Sequence, residues 1–134
     1  MSDPDPSVWM GDDGILRVRY PQNCHLTLEL MEEVHQQRLA LCRERCTLLV
    51  YAESVASAEY EAQQFASRDD VASLVDAMGI IVKSIFTRAM AELFMRFHKP
   101  PYPTRVFTDE RAALDWLAQF VPARPVTPDS GDTV

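Results

Sequence analysis

Glycine is scarce in this chain of 134 residues, which has four, at positions 11, 14, 79 and 131. So few, so far apart, cannot build a glycine-rich phosphate cradle or a dinucleotide-binding loop, and no Gly-x-Ser-x-Gly elbow is present. Histidine is scarcer, and His25, His35 and His98 each stand outside any recognisable catalytic motif. A nucleophilic triad needs a base held between a nucleophile and an orienting acid. These absences lead to the expectation of a protein that is not an enzyme and carries no metal and no cofactor. Long apolar runs are missing too, and none approaches the roughly 18 residues that a membrane-spanning helix needs. The first residues, Met1-Ser2-Asp3-Pro4-Asp5, are acidic and lack the apolar stretch of an export signal. Excess positive charge is also lacking. The formal net charge of −7 argues against broad nucleic-acid binding, which rests on a basic footprint. Cysteine is limited to Cys24, Cys42 and Cys46, an odd number, and these read as reduced thiols of a cytoplasmic protein.

What is present is an ordinary globular balance, 47% apolar and 25% charged, at the length of one domain. Most of the negative charge lies at the ends: residues 1–13 carry −4 and 122–134 carry −1, so the body is only −2. Residues 80–105 are locally basic, with a net charge of +4. After Val121 the composition turns to Pro, Thr, Asp, Gly and Ser. The expectation is a domain over 7–121 with disordered tails at 1–6 and 122–134.

Ser7-Val8-Trp9-Met10 and Ile15-Leu16-Arg17-Val18-Arg19-Tyr20 flank Gly11-Asp12-Asp13-Gly14, and Asp-Gly between apolar runs predicts a hairpin with a primed turn. Alternation in the second run puts Leu16, Val18 and Tyr20 on one face and two arginines on the other. Thr27 is placed to cap a helix over 28–45, whose apolar face would hold Leu28, Leu30, Met31, Val34, Leu39, Leu41 and Cys42. Arg38 projects from that face, its stem expected to pack while its guanidinium escapes or pairs with an acid such as Glu53. The apolar run 47–52 reads as a strand buried on both faces. A loop over 53–57 and short helices over 58–66 and 68–76 follow, the second with a capping box from Ser67 to Asp70. A buried strand over 78–82, a helix over 84–98 stopped by Pro100-Pro101, a strand over 104–107 and a last helix capped by Thr108 complete the order. Ala113, Trp116, Leu117 and Phe120 line one side of that last helix. The pattern is α/β: an N-terminal hairpin, then alternating helices and strands, with a mixed sheet of about five strands and helical crossovers.

Several segments carry a resemblance. They are Val8-Trp9-Met10 with Asp13-Gly14-Ile15-Leu16, Leu26-Thr27-Leu28-Glu29, Ile81-Val82-Lys83-Ser84, Phe94-Met95-Arg96-Phe97-His98-Lys99-Pro100, Pro103-Thr104-Arg105-Val106-Phe107-Thr108-Asp109-Glu110 and Ala113-Leu114-Asp115-Trp116-Leu117. Across 7–121 the chain resembles the SpoIIAA-like, or STAS-like (STAS/SEC14-type), small bacterial proteins of uncharacterised function. The resemblance implies a SpoIIAA-like fold and a regulatory or protein-interaction role. Switch-type antagonists of that fold carry Asp-Ser-Ser-Gly where a serine is phosphorylated. The comparable place here reads Ala58-Glu59-Tyr60-Glu61-Ala62, which keeps an acid but lacks the serine and the glycine. No phosphorylation site is carried over.

The expected working surface combines helix 84–98 with the loop at 53–60, at the C-terminal ends of the buried strands, where open α/β sheets favour ligands. On the helix, Ile85, Phe86, Ala89, Met90, Leu93, Phe94 and Phe97 span close to half the circumference, with Met95 opposite. A stripe so broad fits deep packing, a homodimer interface or a lipophilic pocket. Phe86, Met90, Phe94, Met95 and Phe97 are the ligand or interface candidates, and a carrier of a small lipophilic molecule is the alternative function. Lys83, Ser84 and Arg88 are anion candidates at the helix start. Glu53, Ser54, Ser57, Glu59 and Tyr60 are the loop candidates. His35, Cys42 and Cys46 fall along one helix edge, and Cys24 and His25 could in principle join them. Cys42-x₃-Cys46 alone is a weak zinc pattern, and cysteine on an apolar edge is more often a small core residue.

Overall fold

The hairpin forms where the sequence places it. In the computed structural model, which describes residues 6–53, 55–65, 67–85, 88–89 and 101–121, β1 (Ser7–Met10) pairs antiparallel with β2 (Ile15–Arg19). The turn differs from the expected primed form. Gly14 lies in the left-handed region at φ 82°, while Asp12 and Asp13 keep negative φ, and the Gly14 N–H donates to the Gly11 carbonyl at 3.1 Å. This is a three-residue loop closed by a left-handed glycine. The Asp13 carboxylate accepts from the Ile15 N–H at 3.1 Å and fixes the turn from inside.

Two short strands fall outside the predicted order. β3 (Cys24–Leu26) and β5 (Val55–Ala58) pair in parallel as a separate two-stranded sheet, with His25 opposite Ser57. Residues 53–57 are therefore not all loop, because most of them find a partner strand that is remote in sequence. Between these strands run α1 (Leu28–Leu41) and β4 (Cys46–Tyr51). Thr27 caps α1 as expected, its hydroxyl accepting from the Leu30 N–H at 3.1 Å.

α1 ends short of residue 45, with Cys42 already extended. The turn into β4 releases the Cys42 carbonyl, and Arg38 takes it. Arg38 is 4% exposed, and its guanidinium donates to the carbonyls of Cys42 and Leu74, the latter at 2.5 Å. Neither escape to solvent nor an ion pair with Glu53 occurs; two backbone acceptors satisfy the buried charge. Shortening the helix also leaves Leu41 exposed rather than on the apolar face, while Val34 and Arg38 are the residues of α1 that become buried.

α2 (Tyr60–Phe65) and α3 (Asp69–Ala72) are shorter than predicted, and β6 (Val75–Ile81) starts three residues before the expected 78. Arg68, not Ser67, stands at the start of α3. No side chain caps it, since an arginine offers no acceptor to the first N–H groups, and the Asp70 carboxylate pairs with Arg68 at 2.7 Å. β7 (Thr104–Phe107) and α4 (Glu110–Ala118) close the fold. Asp109, one residue after the predicted Thr108, caps α4 by accepting from the Ala112 N–H at 2.9 Å, where its charge also suits the positive end of the helix dipole.

The main sheet has five strands in the order β1-β2-β4-β6-β7, mixed because only β1 runs antiparallel. One face packs Leu16, Val18 and Leu48 with Val34 of α1. The other packs Ile15, Leu49, Ala77 and Ile81 with Ala113 and Leu117 of α4. Gly79 lets α4 settle on this face: a Cβ there would stand 3.0 Å from Leu117 Cδ1, tighter than ordinary van der Waals contact.

Candidate interaction surface at the C-terminal edge of the sheet

The parallel strands β2, β4, β6 and β7 all end at one edge. The Ala52 N–H donates to the Ile81 carbonyl and the Val82 N–H to the Phe107 carbonyl, each at 2.8 Å, so the chain stays stitched just past the strands. The strand order never reverses among these four, so no crevice opens between crossovers of opposite direction. What this edge offers instead is an exposed surface. The β3–β5 sheet grows from it too, since each of those strands follows β2 or β4 after a short turn.

On the α4 side, register brings side chains from three strands together. Arg19 lies opposite Tyr51, and Trp9 opposite Arg17. The rings of Trp9 and Tyr51 stack nearly parallel, centroids 6.0 Å apart. The Arg19 guanidinium carbon lies 4.2 Å from the centre of Tyr51 and 5.5 Å from that of Trp9, within range of an attraction between the cation and the ring faces. Its neighbour Arg17 is spent differently, forking onto Asp13 through bonds of 2.8 and 2.9 Å. That pairing pulls the Asp13 carboxyl below its usual range and raises Arg17. Burial pushes the Tyr51 phenol up, and its bond to Glu110 pushes it further, while Arg17 pulls the other way. The Tyr51 hydroxyl donates to Glu110 and so ties β4 to the first turn of α4.

The sequence-predicted candidates divide into three groups. Lys83 and Ser84 are exposed just past β6, and the Arg88 N–H donates to the Ser84 carbonyl at 2.8 Å, one helical turn on. Ile85 beside them is 75% exposed. Ser54, Phe86, Met90, Phe94, Met95 and Phe97 lie outside the described residues. The remaining loop candidates are drawn into local structure. Ser57 sits in β5 in contact with the His25 ring, and the Glu59 carboxylate accepts from the Leu28 N–H at 3.3 Å, at the start of α1. Glu53 is exposed, and Tyr60, also exposed, accepts from Gln64 at 2.7 Å.

Among the described residues no group of three His, Cys, Asp or Glu is close enough to hold a metal. His35 turns its ring edge-on to Phe65, and Cys24 and Cys46 are buried, where desolvation raises their thiols, Cys46 to about 11. Two open hollows lie away from the edge. One of about 360 Å³ between α1 and α2 is lined by Glu29, Glu32, His35, Phe65 and Arg68. One of about 450 Å³ at the opposite, N-terminal edge is lined by Arg45, Val75, Asp76, Tyr102 and Pro103.

Sequence reasoning missed the Trp9, Arg19, Tyr51 and Glu110 grouping. Its one signal was the alternation that put Arg17 and Arg19 on the same face of β2. Tyr51 read as core, and nothing in the sequence paired it with Glu110, which is 59 residues away.

Comparison with known proteins shows what this architecture is similar to. The model of a family described as domain of unknown function (DUF7793) matches residues 8–121. An uncharacterised protein of the DUF3478 family from Shewanella loihica PV-4, whose crystal structure has a SpoIIAA-like fold, is 20% identical. The likeness covers 87% of this chain and 98% of that one, with a TM-score of 0.59. The fold here is accordingly SpoIIAA-like, as the resemblance implied. A protein of unknown function from Arthrobacter sp. FB24 is 29% identical over 84% of this chain and 98% of its own, with a TM-score of 0.33. No curated protein matches.

Proposed function

We propose, for a chain that belongs to the DUF7793 family of unknown function, a non-catalytic regulatory or protein-interaction role. The observation that carries it is the stack of Arg19 on Tyr51 and Trp9 at the C-terminal edge. Trp, Tyr and Arg are the residue types that dominate binding energy at protein interfaces. Ile85, past the end of β6, is a further exposed apolar side chain at this end of the sheet. The role needs no phosphorylatable Asp-Ser-Ser-Gly stretch, since a partner would read the face itself. Three free thiols fit a reducing cytoplasm, and among the described residues no helix is long and apolar enough to cross a membrane.

The homodimer rests on the breadth of the apolar stripe predicted over 84–98, and light scattering across a concentration series tests it. The interaction role is tested by quantitative capture from the native cell with wild-type and Trp9→Ala baits of equal stability. A partner that is enriched by wild type and lost from the variant is the expected result. Equal recovery by both baits removes this face from the reading.

A further inference from the structure

We infer that the partner presents an acidic side chain to Arg19, so that this surface reads a carboxylate-bearing segment of another protein; the inference rests on the interaction role proposed above. Arg17 is neutralised by Asp13, Arg45 by Asp76, Arg68 by Asp70, and Arg111 lies near Asp115 at 3.8 Å. Arg38 gives its donors to two carbonyls. Arg19 is held by rings instead, and among the described residues its guanidinium donates to no acceptor.

Two acids that bind the neighbours of Arg19 are already paired. Asp13 is forked by Arg17, and Glu110 accepts from the same Tyr51 ring system on which Arg19 rests. Arg19 already rests over the rings before any ligand arrives, which lowers the ordering cost of binding, and its planar fork can match a carboxylate through two parallel bonds. Lys83, exposed past β6 on the same edge, adds positive charge. Charge complementarity therefore selects an acidic peptide segment, with an apolar side chain beside the acid to meet Trp9.

The test titrates three probes into the isotopically labelled full chain while the Arg19 Nε–H and Trp9 indole resonances are followed. They are a short peptide alternating Glu and Ala, its Gln counterpart, and phosphatidylglycerol vesicles. The expected result is saturable movement of both resonances with the Glu peptide alone, weakened by salt. Arg19→Gln, which keeps a stem over the ring, should reduce affinity about tenfold, and Arg19→Lys should reduce it less. Equal response to the Gln peptide, or unchanged affinity in Arg19→Gln, overturns the inference. Binding of vesicles but not peptide through Arg19 overturns it in favour of a membrane surface. A native partner lost from Trp9→Ala but kept by Arg19→Gln would leave the interaction role standing and remove only the carboxylate; a partner kept by both removes the two together.

Discussion

Arg38 and Arg19 both lie against apolar surface, and they are used in opposite ways. Arg38 sits 4% exposed under the end of α1, and its guanidinium closes two backbone carbonyls that would otherwise face the core without donors. Arg19 rests on the outside of Tyr51 and Trp9 with its donors turned to no protein acceptor among the described residues. A buried cation bound to two backbone carbonyls is a fastening. A cation fixed by rings with its donors unspent is a surface prepared for something else.

The sharpest way to break that contrast is to remove each in turn. Arg38→Ala leaves two partly buried acceptors without donors, each worth about 1–3 kcal/mol, so urea unfolding should register a loss of about 2–6 kcal/mol. Arg19→Ala should cost less than about 1 kcal/mol, the range of an exposed cation on a ring. Similar losses would erase the distinction. Next in size is Tyr51→Phe, which deletes the hydroxyl that ties β4 to Glu110 and should cost about 0.5–1.5 kcal/mol by the same measurement. Tyr51 also offers a pH test. Its raised pKa means that the neutral phenol is favoured in the folded state. The associated stability is fully present below 10 and is lost as pH rises through the raised value. Ultraviolet titration should find Tyr51 ionising later than free tyrosine. The smallest effect is on Arg17. The depressed pKa of Asp13 gives stability that is full above 3.8 and lost as pH falls through the lowered value. With Asp13 partly exposed, Asp13→Asn should flatten the acid limb of the stability curve by only a few tenths of a kcal/mol.

The sheet was legible in the sequence because its strands announce themselves locally. Alternation marked β2, and the apolar run from Thr47 to Tyr51 marked most of β4. The resemblance across 7–121 agreed with the fold that results. What escaped was decided at a distance. β3 and β5 are three and four residues long, too short for a period to emerge, and each is a strand only because the other lies beside it. α1 ends at Leu41, and Arg38 there reaches Cys42 and Leu74, a pairing that helix propensity does not encode. Thr108 and Asp109 are both good caps, and the pattern could not say which would turn toward the Ala112 N–H. For the candidate surface, alternation put two arginines on one face but not their unlike fates. Those depend on Asp13 in the turn and Tyr51 on the neighbouring strand.

The strand order β1-β2-β4-β6-β7 follows the order of synthesis without a reversal. Each main-sheet strand that leaves the ribosome therefore finds its partner edge already laid down, and no place has to be kept open between two earlier strands. The separations between pairing residues stay short for a largely parallel sheet, which lowers the loop-closure cost before each addition. Among the described elements α4 turns back, and its Leu117 closes over Leu49 and Gly79 when every strand beneath it is in position. A ribosome stalled before that helix would hold a sheet with one face still bare.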